Sequence, residues 1–124
     1  MVVKYALVII GGGIGAAVRY GVSLLANRLL GAGFPAGTLI VNLSGCFLIG
    51  LSFALAEQKL ISPNVRLFFA TGFLGGLTTF STYALESINA GRDGLHAMAL
   101  TNIAVSNAAG LALVVAGIWA GRLL

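Results

Sequence analysis

The sequence predicts an all-α membrane protein with four transmembrane helices, and three observations carry that prediction. Hydrophobic residues make up 59% of the 124-residue chain and charged residues only 8%, against about 25% charged in an average soluble domain. The mean hydropathy of +1.04 means that this short chain holds more apolar side chain than one small core could hide, so lipid must cover the rest. Polar breaks divide the chain into four apolar stretches, each near the roughly 20 residues that a spanning helix needs. Residues 1–124 read as one four-helix domain.

The first span is expected from about Tyr5 to Ala26. Lys4 followed by YALVIIGGGIGAA imitates a secretory signal with Gly15-Ala16-Ala17 as its cleavage site, but the apolar pattern resumes after Arg19 as YGVSLLA, which suits a continuing helix. Gly31 to Pro35 is a connection crowded with glycine and closed by proline. The second span covers about Gly37 to Ala56 and ends at Glu57, Gln58 and Lys59. Ser62 then suits an N-cap and Pro63 a first helical turn, opening a third span from about Val65 to Ile88. Its middle, GFLGGLTTFST, carries Gly75-Gly76 and Thr78-Thr79, both poor helix formers, so a break is expected there. Asn89 to Gly94 is the last loop, and the fourth span runs from about Leu95 to Ala120 with Trp119 near a headgroup boundary.

Seven basic and three acidic residues are spread singly along the chain, with no basic face and interleaved aromatics, so no nucleic-acid partner is expected. Four spans put Lys4, Lys59, Arg66 and Arg122 on one side and Arg28 and Arg92 on the other, a weak bias that Arg19 nearly erases. A chain so balanced inserts both ways, and opposed copies can pair as inverted repeats do in larger transporters. The lone Cys46 offers no disulfide framework, and His96 stands without a second ligand. Ser44 and Ser81 have no activating base, so the chain is not expected to be an enzyme. Gly11 to Gly15 sits in a span rather than after a strand, and the pairs Gly11/Gly15, Gly72/Gly76 and Gly117/Gly121 instead suit close helix approach.

Several polar residues in the spans need partners. Arg19 is costly inside an apolar stretch and should act as a structural anchor, reaching an interface, a carboxylate or freed carbonyls. Glu86 would be the natural proton carrier of a coupled exporter if buried, but near the end of the third span it is expected to be solvated or paired with a basic residue such as Arg19 or Arg92. Thr38, Asn42 and Cys46 share one stripe of the second helix, and Asn102, Ser106 and Gly110 one stripe of the fourth. The amide of Asn42 must find a polar partner, water or an ion. At a break, freed carbonyls suit a cation, while Phe80 and Tyr83, three apart, can turn electropositive ring edges toward an anion.

GTLIVNLSG (Gly37 to Gly45), TGFLGGLTTFSTYALE (Thr71 to Glu86) and GGGIGAAVRY (Gly11 to Tyr20) resemble the small fluoride channels of the CrcB/Fluc family in order, spacing and total length. The resemblance covers the whole chain. It implies an antiparallel, dual-topology homodimer in the lipid bilayer of the cell inner membrane, passive export of fluoride from the cytoplasm, and a structural sodium ion at the dimer centre. By position, the carbonyls of Gly75 and Thr78 would bind sodium, four in total from two chains. The Asn42 side chain and the rings of Phe80 and Tyr83 would line or gate the fluoride route, with Thr38 and Ser106 extending the polar track. The chain departs from that pattern at Tyr83, where the family commonly has phenylalanine; the added hydroxyl either donates to the anion or reaches a neighbour. Tyr83→Phe retains flux if the ring edge is the working group and loses much of it if the hydroxyl is an obligatory donor; retention is expected, because the resembling family usually has phenylalanine there. Asn102 and Gly110 stand where many members carry tyrosine and serine. Two other classes remain. A proton-coupled exporter built as an antiparallel dimer needs a carboxylate in the first helix, where this chain has Arg19; a non-transporting assembly subunit would use its glycines only for packing.

Overall fold

A computed structural model describes the whole chain, Met1–Leu124. Every regular element is helical. Helices α1 (Val2–Leu30), α2 (Ala36–Glu57) and α6 (His96–Arg122) are long and apolar enough to cross a membrane. Gly31 ends α1 in a left-handed turn at φ 76°, its N–H bonded to the Asn27 carbonyl at 3.0 Å.

Between α2 and α6 the chain is helical in pieces. The first, α3 (Pro63–Arg66), starts at Ser62, whose hydroxyl accepts the Val65 N–H at 3.2 Å. Pro63 occupies the first turn, where a missing N–H leaves nothing unsatisfied. The chain runs on without interruption into a π-helical stretch, Leu67–Leu74, and then one α-turn, α4 (Gly75–Leu77). Thr78 and Thr79 are extended, and α5 (Phe80–Arg92) follows. Neither Pro63–Leu77 nor the 13 residues of α5 reach the about 20 needed to span a bilayer alone.

The helices meet in two close approaches. Helix α1 packs on the π-helical stretch and α4, and α2 packs on α6. In the first, a methyl group at Gly15 would press on the Phe73 carbonyl and come within 2.8 Å of the Leu77 nitrogen; one at Gly76 would press on the Gly12 carbonyl. In the second, Gly50 faces the Val114 carbonyl and Gly117 the Phe47 carbonyl. Small residues on both partners let the backbones touch.

Only 20 of 124 residues are buried in the single chain, so its apolar outside must be covered by lipid or by another protein surface. The core is small: Val41, Leu74 and Leu77, with Val22, Leu48, Phe69 and Phe73 packed around them. It fixes the polar site beside it, because Val41 immediately precedes Asn42, and Leu74 and Leu77 lead into Thr78.

Candidate functional site

Two extended residues between helices leave backbone groups that must be satisfied from elsewhere. The Thr78 N–H and hydroxyl both donate to the Leu74 carbonyl, at 3.0 and 2.9 Å. The Thr79 N–H, which a continued helix would give to Gly75, donates instead to Asn42 Oδ1 at 2.8 Å, while Asn42 Nδ2 donates to the Thr79 carbonyl at 3.0 Å. One side-chain amide from α2 thus holds both polar groups of one residue, as a neighbouring strand would. The Thr79 hydroxyl caps α5 by accepting the Thr82 N–H at 3.2 Å. From α1, Arg19 donates through Nε to the Gly76 carbonyl at 3.0 Å, placing a cation at the negative end of the helical run that closes at Leu77. The Gly75 carbonyl loses its helical partner, and the Thr78 carbonyl accepts no backbone hydrogen bond.

Beyond the extended pair, the Phe80 and Tyr83 rings stand 5.4 Å apart at 57°. A cavity of about 380 Å³ brings together Asn42, Cys46, Gly75, Thr78, Phe80, Tyr83 and Ser106, drawn from α2, α4, α5, α6 and the extended pair. Thr38 lies one turn along α2 and bonds away from this cavity: its hydroxyl donates to Glu86 Oε1 at 2.8 Å.

The expected pairing of Glu86 with Arg19 or Arg92 is not found. Arg19 is held at Gly76, and Arg92, six positions along α5, projects from another face of the helix. The ion pair present is Arg122–Glu57, 3.5 Å apart and exposed at the helix ends. Glu86 Oε2 is buried with no partner. Toward α6, Ser87 donates to the Tyr83 carbonyl at 2.8 Å and accepts from Asn102 Nδ2 at 2.9 Å, and the Ser106 hydroxyl donates to Asn102 Oδ1 at 3.4 Å. The α2 and α6 stripes therefore both end on α5 or on the extended residue before it.

Three functional groups escape the sequence pattern. Thr79 acts through its backbone, which composition does not reveal. Ser87 links two elements from a single hydroxyl. Asn107, off the Asn102/Ser106/Gly110 stripe, lines the cavity and donates from Nδ2 to the Tyr83 hydroxyl at 3.0 Å. Its signal was present in the sequence: an amide in the interior of an apolar helix is costly unless it is used.

The cavity offers donors without a full positive charge. The second Nδ2 hydrogen of Asn42 is not engaged by the protein, and ring edges add further partial positive charge. Carbonyls at the extended pair offer the opposite polarity a few residues away. Such a surface can replace water around a small anion without trapping it.

Residues 6–118 match the model of a family described as CrcB-like protein, Camphor Resistance (CrcB). Over 120 residues the chain is 46% identical to a fluoride-specific ion channel FluC of Parabacteroides distasonis, covering 97% of this chain and 94% of that one. It is 48% identical over 114 residues to the protein of that name from Salinibacter ruber, covering 92% and 86%. With that of Maridesulfovibrio salexigens it shares 42% identity over 122 residues, covering 98% and 97%.

Proposed function

This chain belongs to the CrcB-like family, and we propose that it carries fluoride passively out of the cytoplasm through the Asn42–Phe80–Tyr83 cavity, in a bacterial-type inner membrane. It is a multi-pass membrane protein and a fluoride channel, not an enzyme. Its conduction limits fluoride toxicity. The observation that carries the route is the Asn42 amide, which clamps Thr79 with two groups and keeps one N–H for the cavity. Fluoride gives up a tight water shell only where donors replace it, and Asn42 with the Phe80 and Tyr83 ring edges supplies them. Ser106 lies at the cavity wall, and Thr38 with Glu86 extends the polar track.

In this reading Pro63–Leu77 and α5 form one span broken at Thr78-Thr79. Irregular backbone is tolerated at membrane depth only where it is buried in protein or lines a cavity, and these residues do line one. A second copy in inverted orientation completes the channel. Support comes from Phe80, 79% exposed beside the cavity, and from the near balance of loop charge. At the centre of that pair, the Gly75 and Thr78 carbonyls of both copies hold one structural sodium ion. They fit such an ion: both lack helical partners, both carry partial charge only, and Arg19 has taken the Gly76 carbonyl out of contention. A bound sodium supplies a fixed positive charge that ties the two breaks together.

Purified protein in a planar bilayer tests this. A fluoride current is expected with no proton gradient present, whereas flux that requires a proton gradient identifies an exporter and silence identifies an assembly subunit. Replacing sodium on both sides by a large organic cation should lower the current over time without changing selectivity; full activity after exhaustive sodium removal rules out the carbonyl assignment.

A further inference from the structure

The geometry points to a hydrogen-bond donor that this chain adds to the fluoride route: the Tyr83 hydroxyl, aimed by Asn107. The inference rests on the reading of the cavity as that route. Asn107 donates from Nδ2 twice, to its own helix at Ile103 O, 2.8 Å, and to the Tyr83 hydroxyl, 3.0 Å. A backbone carbonyl only accepts, so the amide nitrogen, not its oxygen, must face that side. The phenol oxygen is then the acceptor of the second N–H. Asn107 is the hydroxyl's hydrogen-bond partner in the protomer, so the O–H itself is left to donate elsewhere. With the Asn107 N–H occupying one acceptor position of the oxygen, the O–H proton points away from Nδ2, and Tyr83 lines the cavity together with Asn42 and Phe80. Accepting a hydrogen bond also polarises the O–H and strengthens it as a donor.

Fluoride is the smallest halide and the strongest hydrogen-bond acceptor among them, so a hydroxyl discriminates against chloride more sharply than a ring edge does. Hydrogen fluoride is a much stronger acid than a phenol, so the proton stays on Tyr83 and the contact is a hydrogen bond, not a transfer. Tyr83 is thus a fluoride ligand by its O–H as well as its ring, and Asn107 is its positioning residue. Tyr83→Phe keeps the ring edge and with it a selective flux; what it loses is affinity.

The test uses the assembled protein labelled with ¹³Cζ-tyrosine. Three tyrosines are present, and the resonance missing from Tyr83→Phe identifies the one of interest. Sodium fluoride is expected to move that resonance, and sodium chloride to leave it in place. In liposomes at sub-saturating fluoride, Tyr83→Phe should lower efflux at least about tenfold, the lower end of what one hydrogen bond to a charged group contributes. Asn107→Ala should lower it in the wild-type background and have no further effect in the Tyr83→Phe background, a coupling that a general packing defect does not produce. A wild-type Tyr83 resonance indifferent to fluoride overturns the proposal even if a variant fails to fold, and so does an Asn107→Ala effect of equal size in both backgrounds. Wild-type protein that passes no fluoride overturns the channel reading itself, whereas wild-type flux with both variants unchanged overturns only this donor.

Discussion

Asn42 clamps Thr79 and, in the proposed route, offers its free N–H to the ion, and one substitution removes both. In Asn42→Asp the Nδ2 donor becomes an oxygen facing the Thr79 carbonyl now 3.0 Å away, and an ionised carboxylate repels any anion in the cavity. At an effective dielectric of about 20, like charges about 4 Å apart cost about 4 kcal/mol, roughly a thousandfold in occupancy. Fluoride efflux from liposomes should therefore fall at least about a hundredfold while size-exclusion shows the assembly intact. Phe80→Ile removes a ring edge but keeps an apolar side chain, so efflux should again collapse with little loss of folded protein. Normal flux in both variants, with the protein folded, places the route elsewhere. The sequence already marked Asn42 as an amide needing a partner. It could not name Thr79, because an amide matched to a backbone 37 positions away leaves no local pattern. Asn107 escaped for a related reason: it stands one position past Ser106, about 100° round the helix from the stripe that drew attention.

Helix contacts decide whether those residues meet. A side chain at Gly15 lands on the Phe73 backbone, which cannot rotate away as a flexible side chain would, while Gly13 has nothing within 4 Å. Gly15→Ala should cost about 1–3 kcal/mol through overpacking, and Gly13→Ala should be neutral or slightly stabilising, since alanine is the better helix former. Thermal unfolding in detergent reads the difference; equal midpoints for the two variants contradict the backbone contact. Arg19→Met leaves the Gly76 carbonyl without its side-chain donor and should lower the midpoint as well, by about 1–3 kcal/mol of lost stability. The glycine spacings were readable as packing faces, but not which face meets which. Low helix propensity at Gly75-Gly76 and Thr78-Thr79 falls where one helical run ends and the next begins. The π-helical stretch Leu67–Leu74 had no such mark, because LFFATGFL is almost uniformly apolar and reads alike for either helix.

As a whole molecule the chain leaves most of its apolar surface to be covered from outside, with 20 of its 124 residues buried and large hydrophobics exposed along every long helix. Composition made the membrane evident, since 8% charged residues is far below an average soluble domain; what covers Phe80 is beyond what one chain's pattern can specify. The homodimer of oppositely inserted copies proposed above rests on near-balanced loop charge. In a Cys46→Ala background, single cysteines at either terminus should react with impermeant reagent from both sides of the membrane in one population, and strict one-sided labelling contradicts dual topology. Selective passage of fluoride is measured by parallel efflux from liposomes loaded with potassium fluoride or potassium chloride, with a potassium ionophore carrying the balancing charge. Rapid loss of fluoride with chloride retained is the predicted result; equal loss of both ions, or retention of both, contradicts it.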